Sequence, residues 1–126
     1  MKLRIQDNSI RLRLTRSEVD DVSAEGSVTA SISFPNGARF EYSLESSSLT
    51  GQPRAQFSTD RLVVQIPQAM VRRWAVTEEV SITGAQPLED GELSILVEKD
   101  FACLTPREGE DESDMFPHPL KGQENC

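Results

Sequence analysis

Residues 7–18 read DNSIRLRLTRSE, and residues 59–70 read TDRLVVQIPQAM. The two stretches share almost no identity, yet both alternate apolar and polar residues and both stop at the same step, Thr15 in the first and Pro67 in the second. Alternation with a period of two is typical of a half-buried strand. Thr and Pro are both residues that begin helices. Each stretch therefore predicts a strand that runs directly into a helix.

A single offset extends this correspondence along the chain. A shift of 52 positions, without gaps, superimposes nine apolar pairs, and one further residue of shift aligns the closing segments of the two halves. Such self-similarity indicates two copies of one supersecondary unit, which we place at residues 2–45 and 54–98 with a polar linker at 46–53. The pairs include Leu3 with Ala55, Ile10 with Leu62, Leu12 with Val64, Val19 with Val71, Val22 with Trp74, Val28 with Val80, Ala30 with Ile82 and, after the extra residue, Leu44 with Val97.

Each copy has the pattern hairpin, helix, hairpin. In the first copy, Thr15 and Glu18 have the spacing of a capping box, and Gly26 ends the short helix. In the second copy, Trp74 lies on the apolar side of its helix. A unit of about 45 residues cannot shield its own apolar face, so we expect the two copies to pack on each other. The predicted fold is mainly β with two short helices, a duplicated ββαββ arranged as a pseudo-two-fold swapped-hairpin barrel.

Composition predicts one domain and a distinct C-terminal segment. The chain has 126 residues and a formal net charge of -8. Residues 1–103 carry eleven Lys and Arg against fifteen Asp and Glu, whereas residues 104–126 carry two against six, so the last segment is strongly acidic. The sequence has neither a signal-peptide pattern nor a long apolar run. We therefore expect a cytoplasmic, monomeric protein with no membrane association.

The two copies resemble the swapped-hairpin fold of AbrB-type transcription factors and MazE-type antitoxins. Asp7-Asn8-Ser9 followed by Arg13-Leu14-Thr15, and Ile66-Pro67 leading into an amphipathic helix, are similar to that group's motifs. Thr15 replaces the group's Pro, the second copy lacks the Asn-Ser pair, and both copies lie in one chain. The whole chain also resembles a small uncharacterised bacterial family, a likeness that implies no activity.

The resemblance implies nucleic-acid binding as one function. DNA binders of the group lay a hairpin surface on the groove, and Arg and Lys supply phosphate and base contacts. The alternative is a solvated strand face whose charges discourage aggregation, and the net charge of -8 favours this alternative because it repels a polyanion. The candidate residues for nucleic acid are Lys2, Arg4, Arg11, Arg13 and Arg16.

Protein partner binding is the function that we place first. Antitoxins of the similar group bind their toxin with a flexible acidic tail, and this chain ends in an acidic run followed by an apolar residue and prolines. The alternatives are a solubilising tail or a segment that folds back onto the domain through Phe116. The candidate partner-binding residues are Glu110, Asp111, Glu112, Asp114 and Phe116.

Metal binding and catalysis have less support. Cys103, His118 and Cys126 are the only soft ligands, but their spacing matches no zinc finger, and a disulfide or free thiols are the alternatives. No Walker, G-x-S-x-G or GxGxxG motif is present, and the single His lies between two prolines. We therefore predict a non-enzymatic binding protein with no cofactor and an unknown protein partner.

Overall fold

The computed structural model describes residues 1–101 together with Asp114 and Phe116. The fold is mainly β with two helices, as predicted. None of the helices among these residues has the length and apolar character needed to span a bilayer. The elements in chain order are β1 (Lys2–Gln6), β2 (Ser9–Leu14), α1 (Arg16–Glu25), β3 (Ser27–Ser33), β4 (Arg39–Ser47), β5 (Arg54–Ser58), β6 (Arg61–Pro67), α2 (Gln68–Val76), β7 (Ser81–Leu88) and β8 (Gly91–Lys99).

The two opening stretches form the strand-to-helix junctions that the sequence predicts. Thr15 is the N-cap of α1: its hydroxyl accepts from the backbone N–H of Glu18, and the Glu18 carboxylate accepts from the backbone N–H of Thr15 at 2.9 Å. This reciprocal pair satisfies two of the exposed donors at the helix start. Pro67 precedes α2 without a side-chain cap, and its φ of -52° suits a helix start.

Each sheet contains one hairpin from each half of the chain. The first sheet has the order β1-β2-β8-β7, and the second sheet has the order β3-β4-β6-β5. The two central contacts, β2 with β8 and β4 with β6, are parallel, and the hairpin contacts are antiparallel. Neither half therefore completes a sheet alone.

The backbone contacts of the two sheets also correspond. In the first sheet Ser9 pairs with Ser94. Arg61 lies 52 positions after Ser9 and Glu41 lies 53 positions before Ser94, and these two residues pair with each other in the second sheet. Hydrogen bonds outside the ladders form two matching pairs. In the first pair, Ser94 N–H donates to the Asn8 carbonyl at 2.9 Å and Glu41 N–H donates to the Asp60 carbonyl at 3.0 Å. In the second pair, Ser46 N–H donates to the Gly26 carbonyl at 2.9 Å and Lys99 N–H donates to the Val80 carbonyl at 3.0 Å.

One hydrophobic core is shared by both halves. The strands point alternate side chains inward, and both helices bury one face in the same cluster. Trp74, the largest buried side chain, has no exposed surface, and its Nε1 donates to the Val80 carbonyl at 2.9 Å. The buried members are Ile10, Leu12, Leu14, Val19, Val22, Leu44, Leu62, Val64, Ile66, Val71, Trp74, Ile82, Ile95 and Val97.

The alignment of β3 with β7 was wrong by two residues. Val28 pairs with Leu44, and it is Ile82, not Val80, that pairs with Val97, the counterpart of Leu44. Gly26, at φ 92°, reverses the chain in one residue after α1. At the end of α2 the equivalent residue is Thr77, whose backbone is extended and does not reverse the chain. The chain therefore uses residues 77–80 before β7 begins.

The polar linker is also shorter than expected. Ser46 and Ser47, which we assigned to it, are the last residues of β4 and pair with Ile66 and Pro67 of β6. The reason is that the parallel partner offers backbone groups up to the start of α2, and β4 continues as long as those partners do.

Candidate functional site

Four of the five candidate nucleic-acid residues lie together on the outward side of the first sheet. Lys2 is opposite Arg13 and Arg4 is opposite Arg11 in the β1–β2 hairpin. Their neighbours in sequence, Leu3 and Leu12, belong to or pack against the core. Alternation therefore places the four cations on the opposite side. We call these four residues, Lys2, Arg4, Arg11 and Arg13, the basic face.

Carboxylates offset part of the charge of the basic face. Glu98 of β8 accepts from Arg13 at 2.6 Å and lies 3.4 Å from Nε of Arg11. The Asp100 carboxylate lies 3.1 Å from Nζ of Lys2. Among the described residues, no carboxylate lies within ion-pair distance of Arg4, whose guanidinium donates to the Gln6 side chain at 3.5 Å. Arg4 is therefore the cation of the basic face that has no carboxylate partner among the described residues.

The basic face encloses a small concavity. Its volume is about 160 Å³, and all four lining residues are the cations of the basic face. A shallow concavity of about 520 Å³, lined by Arg4 and Arg11 together with residues of β7 and β8, lies beside it. A surface with this charge and shape suits an anionic group.

Arg16, the fifth candidate, lies elsewhere, at the start of α1. Parallel pairing brings the C-terminal ends of β2 and β8 together, with Leu14 opposite Lys99 and the Asp100 N–H donating to the Leu14 carbonyl at 2.8 Å. The last residue of β8 and the residues that follow the two strands are therefore neighbours. We call this group, Arg16, Ser17, Lys99, Asp100 and Phe101, the terminal seat.

Asp114 binds the helix side of the terminal seat. Its carbonyl accepts from the Arg16 N–H at 3.0 Å, and its carboxylate accepts from the Ser17 N–H at 3.3 Å and from the Ser17 hydroxyl. Unpaired N–H groups and the dipole at a helix start favour a carboxylate there. Hydrogen bonds from the hydroxyls of Ser17 and then Thr15 hold the pKa of the Asp114 carboxyl below its usual range.

Phe116 binds the strand side of the terminal seat. Its N–H donates to the Asp100 carbonyl at 2.9 Å, forming a parallel bridge opposite Phe101. The two rings meet edge to face with centroids 5.7 Å apart. The Arg16 guanidinium lies 5.3 Å and Nζ of Lys99 lies 5.2 Å from the centroid of the Phe116 ring, within cation–π range.

Lys99 is an unusual component of the terminal seat because a lysine is seldom buried. It is 6% exposed, and its Nζ donates to the Thr77 carbonyl at 2.8 Å. Burial lowers the pKa of Lys99, while the carboxylates of Glu79 and Glu78 act in the opposite direction. The ammonium group is thus held between the end of α2 and the Phe116 ring.

The corresponding place in the other half has none of this chemistry. The offset of 52 matches Arg16 and Ser17 with Gln68 and Ala69. The offset of 53 matches Lys99, Asp100 and Phe101 with Ser46, Ser47 and Ser48. The fold does not require a charged and aromatic seat, because the second junction forms without one.

The remaining candidate residues lie outside the described part of the chain. These are Glu110, Asp111 and Glu112 of the partner-binding set and all three metal candidates, Cys103, His118 and Cys126. Their roles stay predictions. Within residues 1–101 and at Asp114 and Phe116, no group of three or more His, Cys, Asp or Glu side chains is placed to hold a metal ion.

The sequence predicted Asp114 and Phe116 as partner-binding residues, with a segment that folds back onto the domain through Phe116 as the alternative. The structure places both residues against the domain, whereas the sequence analysis assigned no role to Ser17, Lys99 or Phe101. The available signal was the pattern at the end of β8, where the apolar alternation of Leu93, Ile95 and Val97 is followed by the charged and aromatic residues Lys99, Asp100 and Phe101.

Comparison with known proteins gives a family without an activity. No curated protein and no solved structure matches the chain. Residues 1–120 match a family described as "Family of unknown function (DUF7009)". Because the match covers nearly the whole chain, the protein belongs to this family.

Proposed function

We propose that this protein is a non-enzymatic binding protein that engages a protein partner through its acidic C-terminal segment and the domain surface beside that segment. The observation that carries the proposal is the attachment of Asp114 and Phe116 to the domain by backbone hydrogen bonds, side-chain hydrogen bonds and aromatic contacts. These contacts fix two points of the acidic segment next to α1 and β8. Partner and domain surface would therefore meet at one place.

Charge supports an ionic component in this recognition. The run of Glu110, Asp111 and Glu112 ends two residues before the attached Asp114 in sequence. A concentrated acidic run attracts a basic partner surface and raises the association rate. A partner with a basic patch beside an apolar one fits this arrangement best.

The test is capture of a partner with matched full-length baits. The wild-type chain and the variant Glu110→Gln/Asp111→Asn/Glu112→Gln are compared in an extract of the cells that naturally produce the protein. A variant with the same number of neutralised charges in the two exposed turns that precede β6 and β8, Asp60→Asn/Glu89→Gln/Asp90→Asn, serves as control. We expect one protein to be retained by the wild type and the control and lost from the acidic-run variant.

The captured protein is then purified and its affinity measured at several salt concentrations. We expect binding to weaken as salt rises, because exposed charges are screened. Equal capture by all three baits, or capture of nucleic acid alone, would argue against the proposal.

The basic face favours nucleic-acid binding as a second candidate function. Four cations line one concavity, and Arg4 has no carboxylate partner in the described part of the chain. The strand orders and matched hydrogen bonds of the two sheets also support an AbrB-type, duplicated swapped-hairpin origin for the fold. On this proposal the protein is a DNA-binding regulator or antitoxin.

Titration with a labelled DNA duplex tests the second candidate. If the basic face contacts phosphates, the affinity should fall by roughly 0.9 log units per contacted phosphate for each tenfold rise in salt. Arg4→Ser should weaken binding, whereas Arg54→Ser, at the position that matches Lys2 in the second sheet, should not. An affinity that does not change with salt would argue against phosphate contacts and for the alternative, in which the basic face is a solvated strand surface.

A further inference from the structure

We propose that the terminal seat is a docking site for a partner peptide that carries Asp and Phe two residues apart, and that the chain's own Asp114 and Phe116 occupy it in the absence of that partner. The inference rests on the proposed function, since it assumes a protein partner, and it adds the chemistry by which the domain recognises it. The partner segment that enters the seat is acidic and aromatic, written Asp-x-Phe, and it is a different part of the partner from the basic patch that meets residues 110–112.

The seat recognises each part of such a segment separately. The start of α1 and Ser17 receive the carboxylate, and Arg16 and Lys99 receive the face of the ring. Phe101 adds an edge-to-face contact. Two backbone bonds, from Arg16 N–H to the Asp114 carbonyl and from Phe116 N–H to the Asp100 carbonyl, hold the main chain at both of these residues. Backbone bonds of this kind accept any sequence, so specificity comes from the acidic and aromatic side chains.

The contacts that hold the present occupant are suited to exchange. Asp114 is exposed and Phe116 is only half-buried. The seat's own framework does not depend on either residue: the Lys99 N–H donates to the Val80 carbonyl, the Asp100 N–H to the Leu14 carbonyl, and Nζ of Lys99 to the Thr77 carbonyl. Removal of the occupant would therefore leave Lys99 and Asp100 of the seat in place.

Competition between the two segments follows from the covalent connection. Residues 102–113 tether the occupant to the seat, and a short tether gives an effective concentration on the order of millimolar. A partner peptide with only the same contacts would be weakened by this competitor. For an intrinsic dissociation constant of about 100 μM, the occupant would lower the apparent affinity about tenfold.

The test uses a dye-labelled synthetic peptide with the sequence of residues 110–119, EDESDMFPHP, and full-length protein. Fluorescence anisotropy measures its binding to the wild type and to Phe116→Ala, in which the occupant loses its ring and therefore its aromatic and cation–π contacts with the seat. We expect saturable binding to Phe116→Ala at least about tenfold tighter than to the wild type. A second peptide with Phe replaced by Ala should not bind either protein.

Further substitutions in the Phe116→Ala background locate the binding. Arg16→Ser/Ser17→Ala changes two exposed seat residues and should abolish binding, while Arg72→Ser, an exposed arginine of α2, should leave it unchanged. Circular dichroism and thermal unfolding verify that each variant remains folded. Equal peptide affinity for the wild type and Phe116→Ala, or insensitivity to Arg16→Ser/Ser17→Ala, would overturn the proposal.

Two results separate this inference from the function on which it rests. If the peptide does not bind Phe116→Ala but the acidic-run bait experiment still captures a partner, the seat proposal fails and the proposed function stands. If the wild type forms a dimer in sedimentation at rising concentration and Phe116→Ala does not, the occupant in trans is a second copy, and the partner-peptide proposal is overturned.

Discussion

Gly84 lies where β7 passes closest to the segment that leads into β5. A Cβ atom built on Gly84 would be 2.6 Å from Cβ and 2.8 Å from Cγ of Pro53, which is buried. Two residues further along β7, the Gln86 side chain accepts from the Ala55 N–H at 2.8 Å. Close approach of the two sheets at this edge therefore depends on the absence of a side chain at residue 84.

Gly84→Ala should lower the free energy of unfolding by about 1–3 kcal/mol, as expected for overpacking against a rigid ring. The sign is informative, since alanine at an unhindered position gains about 0.4–1 kcal/mol over glycine. Gly51→Ala is the matched control, because its Cβ would meet nothing within 4 Å. Urea unfolding followed by circular dichroism measures both. Equal stability of the two variants would show that the sheets separate freely at this edge.

Side-chain burial was predictable where a residue belongs to a repeating apolar pattern. It was not predictable where it depends on contacts between segments distant in sequence. Trp74 was expected inside because it falls on the apolar stripe of its helix, and it has no exposed surface. The Gly84–Pro53 approach and the burial of Lys99 depend on how distant segments meet. The local pattern of apolar and polar residues carries no information about such contacts.

At the scale of single elements, the two helices begin by different means. α1 has a complete capping box between Thr15 and Glu18, and the Glu18 carboxylate also pairs with the N-terminal amine. α2 starts after Pro67 with no side-chain cap. The proline contributes a fixed φ and has no N–H to satisfy, but it accepts no hydrogen bond from the first turn as the threonine does.

Thr15→Ala should therefore lower the free energy of unfolding by about 1 kcal/mol, because it removes a side-chain acceptor from the helix start. Thr15→Ser keeps a hydroxyl at the same place and should stay within about 0.5 kcal/mol of the wild type. Thermal and urea unfolding of the full chain compare the two. If Thr15→Ser were as unstable as Thr15→Ala, packing of the threonine methyl group, and not capping, would explain the loss.

Element boundaries followed from the sequence wherever turn chemistry marks them. The Asp7-Asn8 and Thr59-Asp60 turns, the Thr15 and Pro67 helix starts and the Gly26 helix end all lie where expected. The start of β7 did not, because an ungapped offset has no means of placing the two extra residues after α2. The terminal seat also escaped detection, since it forms only when the ends of two parallel strands 85 positions apart meet, as Leu14 and Lys99 do.

At the scale of the whole molecule, each half supplies what the other lacks. The hairpins of residues 2–14 and 81–99 share one sheet, and those of residues 27–47 and 54–67 share the other. The buried cluster takes members from both sheets and both helices. The need of a small unit for a second apolar surface was readable from the sequence, but which hairpin pairs with which was settled only by the strand order.

This interleaving predicts that neither half folds alone as a monomer. We expect fragments 1–52 and 53–126 to lack a cooperative thermal transition separately, because each leaves its central strands without a parallel neighbour and its apolar face uncovered. On mixing, they should form a one-to-one complex with the circular dichroism of the intact chain and with blue-shifted fluorescence from Trp74, the only tryptophan. Leu44 is fully buried and lies opposite Val64 across the parallel β4–β6 contact, so fragment 1–52 carrying Leu44→Asp should not restore the complex. A fragment that sediments as a monomer and melts cooperatively would mean that the halves are independent units in contact, and the shared core would then not be what holds the fold together.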